Sequence, residues 1–137
     1  MRKRNILILA AVIFLVIGIL YIVPSPKEEE VIPNPKNTEL YTLLANVGIE
    51  DALVDITKDR ALIRYELPEN MSKEASQYYI MLAAATITNS SKIVIQVYEN
   101  FTPLEEVVVS TDDVLAFMNG TITYEEFEKR IKIKSLK

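Results

Sequence analysis

The chain has 137 residues, with 15 Lys and Arg against 19 Asp and Glu, and no cysteine, histidine or tryptophan. That length suits one domain, and the missing residue types exclude disulfides, thiol chemistry and the usual zinc ligands. Beyond residue 23 there are 12 basic and 19 acidic residues, a net charge of −7, which repels phosphate backbones and anionic headgroups and argues against nucleic acid as a partner.

The chain opens with Arg2, Lys3 and Arg4, followed by an 18-residue run without charge from Ile6 to Val23. As a helix this run covers about 27 Å, close to the hydrocarbon thickness of a bilayer. The basic cluster stays on the cytoplasmic side, so the sequence predicts a tip at 1–5, a transmembrane signal-anchor helix at 6–23 and everything after it outside the cell membrane. Contact with the lipid bilayer is expected through residues 6–23 alone. A cleaved signal peptide would need a shorter apolar core and an Ala-x-Ala site, and the run instead ends Tyr21-Ile22-Val23-Pro24-Ser25. A buried helix of a soluble domain would show a polar face, which this run lacks.

Residues 24–37 hold four prolines and Glu28, Glu29 and Glu30. Proline removes backbone donors and favours extended geometry, so this segment reads as a semi-rigid stalk of at most about 45 Å. The domain proper is expected at 38–137. Thr38 to Val47 reads as a helix because Leu40, Leu43, Leu44 and Val47 form one apolar stripe, with Asn37 or Thr38 as cap and Gly48 as stop. Ala52–Ile56 and Ala61–Leu67 read as a hairpin around Thr57-Lys58-Asp59-Arg60. A long helix starts at Ser72 and runs to about Asn89. Its stretch from Tyr78 to Ile87 is apolar nearly all round and must be covered, by the core or by another protein. Ile93–Tyr98 and Glu105–Ser110 form a second hairpin. Short helices follow at Asp112–Met118 and Tyr124–Ile131, the second opened by a capping box of Thr123 and Glu126. In the tail, Ile131, Ile133 and Leu136 alternate with lysines.

The order is helix, hairpin, helix, hairpin, two short helices. It predicts an α+β domain: a four-stranded antiparallel or mixed sheet with the long helix packed across it and short flanking helices.

The candidate chemistry is sparse. No Gly-x-Ser-x-Gly or Ser-x-x-Lys signature occurs, and three glycines cannot build a phosphate-cradling loop. The paired acids are Glu105-Glu106, Asp112-Asp113 and Glu125-Glu126 with Glu128. Neighbouring carboxylates point to different faces, and Asp112 and Asp113 fit the start of a helix. A hard-cation site such as Ca²⁺ is the alternative use of these acids. No catalytic residue, cofactor or metal ligand is assigned. One pattern exceeds chance: Asn70, Asn89, Asn100 and Asn119 each head an Asn-x-Ser/Thr triplet, where composition alone predicts roughly one. They are candidate N-glycosylation acceptors in an outward-facing domain, although turns and helix caps also favour these residues.

The sequence therefore predicts a single-pass, membrane-anchored, non-catalytic binding or assembly module, which engages a protein partner or another copy of itself. A long apolar helix or an exposed sheet edge would supply the contact. The alternatives are a structural envelope component and a hydrolase of envelope material, which needs two acids about 5–9 Å apart in a pocket.

Overall fold

The structure, a computed structural model, describes residues 34–137. The expected tip, anchor helix and most of the stalk lie outside the described residues. Among the described residues no helix is long and apolar enough to cross a membrane.

Helix α1 spans Pro35–Asn46, three residues earlier than the apolar stripe suggests. Asn34 is the reason: its side chain accepts from the Lys36 N–H at 3.0 Å, and Pro35 supplies the pre-set φ suited to a first helical position. The helix ends in a hydrogen-bonded cap through Gly48, whose φ is +99°. Gly48 N–H donates to Ala45 and Ile49 N–H to Leu44, which turns the chain and drops Ile49 into the core. Only Leu40 and Leu44 of the expected stripe are buried; Leu43 and Val47 reach solvent.

Strands β1 (Leu53–Ile56) and β2 (Arg60–Glu66) pair antiparallel, as the first hairpin predicts. Helix α2 (Lys73–Ile87) begins where the Ser72 side chain accepts from the Ala75 N–H at 3.1 Å. It returns the chain so that β3 (Lys92–Glu99) lies parallel to β2, with Ala61 opposite Ile93 and Tyr65 opposite Val97. β4 (Thr102–Ser110) folds back antiparallel on β3. Helices α3 (Thr111–Met118) and α4 (Tyr124–Arg130) follow, the latter with the predicted Thr123–Glu126 capping box in place.

The sheet has five strands in the order β1-β2-β3-β4-β5 and is mixed, not four-stranded. The extra strand is β5 (Lys132–Ser135), antiparallel to β4 with Ile133 opposite Val107. Its four residues are all exposed, so it carries the weak alternation of a short edge strand and no core signal.

Pleating sorts the side chains. Ala61, Ile63, Tyr65, Ile93, Ile95, Val97, Val107 and Val109 point to the helix-covered face, where they join Leu40, Leu44, Ile80, Met81, Val114 and Phe127 in one core. The apolar stretch of α2 is covered inside the domain: it packs on α1, α3 and β3. On the other face Arg64, Gln96 and Glu106 stand in one row, linked by Arg64 Nε to Gln96 at 2.9 Å and Gln96 Nε2 to Glu106 at 2.8 Å.

Candidate binding cleft

The parallel β2–β3 pair fixes where a concavity forms. Both strands end at the same edge of the sheet, and the chain must leave them in different directions. A cleft of about 850 Å³ opens there. Its walls come from three connections: the α1–β1 loop with Gly48, Glu50 and Asp51, the β2–α2 loop from Leu67 to Ser72, and the β3–β4 turn.

The β3–β4 turn has two residues between the paired Glu99 and Thr102, and both have left-handed φ: +51° at Asn100 and +63° at Phe101. Two-residue hairpin turns favour Asn followed by Gly at such positions, because a side chain there is strained. Here the second place holds a phenylalanine that is 90% exposed. Glu66, the last residue of β2, holds the turn: its carboxylate accepts from the backbone N–H groups of Asn100 and Phe101, the latter at 3.1 Å. Beside it, Tyr98 is half-buried and lies under the Arg64 guanidinium, 5.9 Å from ring centre to Cζ.

Behind the cleft a polar network fastens α2 to the sheet. Glu105 of β4 faces the helices and accepts from Lys73 Nζ at 2.9 Å and Gln77 Nε2 at 2.8 Å. Burial opposes its charge, but the Gln77 and Lys73 donors outweigh burial and hold the carboxyl below its ordinary range. The Glu105 carboxylate in turn raises Lys73. Next to it the buried Tyr65 hydroxyl lies 2.5 Å from Ser76 Oγ, and Ser76 Oγ donates to the Lys73 carbonyl at 2.8 Å. With the serine proton committed, the tyrosine donates. Burial, reinforced by the nearby Glu105 and Glu74 carboxylates, pushes the Tyr65 phenol up to about 12.

The acid pairs seen in the sequence do not converge. Glu105 and Glu106 occupy opposite faces of the sheet. Asp113 pairs with Arg130 at 2.8 Å, and Asp112 is exposed in the first turn of α3. Glu126 is spent on the cap of α4, where the Thr123 N–H lowers its carboxyl. Among the described residues no three acids gather as a metal-holding group.

The four sequon asparagines are all exposed, each at a junction between elements. Asn100 lines the cleft, and Asn70 sits in its wall between the lining residues Glu69 and Met71. Asn89 follows α2 at the other end of that helix. Asn119 closes α3, its Oδ1 accepting from the Thr121 N–H at 3.1 Å.

Sequence reasoning did not single out Glu50, Asp51, Glu69, Tyr98, Glu99 or Phe101. A signal was present in Asn100-Phe101, an aromatic where a two-residue turn wants glycine. No known protein family, curated protein or solved structure matches the chain.

Proposed function

We propose that the chain is a non-catalytic binding module, anchored in the cell membrane by residues 6–23, that presents residues 38–137 outside and engages a protein partner through the cleft. The observation that carries this reading is the cleft itself, which lies beyond the carboxyl ends of a parallel strand pair and has an exposed aromatic residue at its rim. Its side chains are arranged for contact. Lys73, Tyr65 and Ser76 are tied into a network that fastens α2. No histidine or cysteine exists in the chain to activate a nucleophile. A rigid scaffold carrying loops at one edge is the usual platform for recognition.

A photo-cross-linking residue placed at Phe101 in the full chain, expressed in its native membrane, tests the reading. A discrete protein adduct is expected from position 101. None is expected from Thr86, an exposed position on α2 outside the cleft. The same adducts from both positions, or none from either, count against it. Fractionation with protease protection tests the anchoring: the domain should remain membrane-bound and be digested from the outside.

A further inference from the structure

We infer that the occupant of the cleft is an extended peptide segment rich in lysine or arginine, an inference that rests on the cleft being the binding surface. Five carboxylates line it, from Glu50, Asp51, Glu66, Glu69 and Glu99, against two cations, Arg64 and Lys73. One of the two cations is already committed elsewhere. Lys73 is paired with Glu105 behind the wall at 2.9 Å. Arg64 keeps its charge, since Gln96 and the Tyr98 ring that it meets are both neutral. Glu66 is occupied by the turn N–H groups. Among the described residues, Glu50, Asp51, Glu69 and Glu99 take part in no ion pair. Four carboxylates outside any ion pair, with Arg64 as the one lining cation not paired to a carboxylate among the described residues, leave a net negative concavity whose field draws cations in and turns anionic partners away.

The spacing of these charges separates a chain-like polycation from a single ion. The four carboxylates come from two different connections and the end of β3, and no three acids converge as a metal-holding group among the described residues. A cation with charges strung along a backbone meets such a set; one metal ion does not. The rim adds what a peptide needs beyond charge. Phe101, exposed at the rim, offers its ring to ammonium or guanidinium groups. Leu53, 47% exposed on the wall, can cover the aliphatic stems of lysine or arginine. The volume of about 850 Å³ holds several side chains, more than a slender polyamine fills.

The test is an amide-resonance NMR titration of the full chain in uncharged detergent micelles. The probes are the blocked heptapeptide Lys-Ala-Lys-Tyr-Lys-Ala-Lys, its analogue with Glu for every Lys, and spermine. Saturable shifts are expected at residues 50–51, 69 and 99–101 with the lysine peptide only. The double variant Glu69→Lys/Glu99→Lys, at two exposed positions that leave the core intact, should weaken that peptide by ~10-fold or more and begin to respond to the glutamate peptide. Four results overturn the inference: no saturable shift, shifts confined to the Arg64–Gln96–Glu106 face, equal response to both peptides, or spermine binding as tightly as the lysine peptide. Should these arms fail while position 101 still gives its specific cross-link, the ligand class falls and the binding-module reading stands.

Discussion

The Tyr65 hydroxyl and Ser76 Oγ meet 2.5 Å apart where β2 passes beneath the first turns of α2, with both side chains closed to solvent. The bond is asymmetric in its consequences. Ser76→Ala strands the phenol in the core and should cost about 1–3 kcal/mol. Tyr65→Phe leaves Ser76 still bonded to the Lys73 carbonyl and should cost less, about 1 kcal/mol. The double variant should be more stable than the sum of the single losses implies, because no stranded hydroxyl remains. Urea unfolding of the four proteins checks this. Strict additivity would count against the asymmetry.

The Lys73–Glu105–Gln77 group predicts a pH dependence. The folded carboxyl of Glu105 is lowered, so its contribution is present above the unfolded value of about 4.3 and is lost as pH falls through the folded one. Lys73 is raised, so its share is present below about 10.4 and is lost as pH rises through the folded value. Glu105→Ala also leaves the buried Gln77 amide without its acceptor. It should cost about 1–3 kcal/mol at neutral pH and progressively less in acid. Unfolding curves of both proteins across the acid range check the convergence.

The strained turn sets stability against contact. Phe101→Gly suits the +63° φ and removes a side chain that packs on almost nothing, so it should raise stability by about 0.5–1 kcal/mol. The same change should weaken binding of the lysine peptide. A variant that is less stable would show that the ring is held by contacts of its own.

Thr88 is 4% exposed, and its hydroxyl has no hydrogen-bond partner among the described residues. Thr88→Val keeps the shape, removes an unpaired polar group and should raise stability by about 1 kcal/mol. By contrast Phe127, fully buried and stacked on Phe117 at 4.6 Å between ring centres, should cost about 3–5 kcal/mol as Phe127→Ala. Thermal unfolding checks both signs.

The proposed outward orientation, with four exposed sequons, predicts a mass excess. The intact protein from its native membrane should be heavier than its sequence by at least one glycan, at Asn70, Asn89, Asn100 or Asn119. An unmodified mass rejects this.

Much of the fold was legible because local chemistry agreed with it. The Thr123–Glu126 capping box, the Ser72 cap and the Gly48 stop all sit where side-chain chemistry places them. The α+β class followed from the alternation in the two hairpins. The start of α1 was displaced because Asn34-Pro35 is a helix-opening pair inside a proline-rich stretch, where composition alone suggests extended chain. β5 was missed because a strand exposed at every residue buries nothing that periodicity can register. The cleft was hidden for a different reason: its acids are scattered over residues 50–99 and become neighbours only through the parallel pairing of β2 with β3.

That pairing also governs how the chain comes together. The β1–β2 and β3–β4 units each close across a short turn, so each can zip early and fast. Joining them requires Arg60 to find Lys92 across the whole of α2, a far longer loop for a ladder that repays nothing until it starts. The barrier should therefore sit at the docking of α2 onto the two half-sheets. Substitutions at Ile80 or Ala84, buried on that helix, should slow refolding more than equally costly changes at the exposed edge strand.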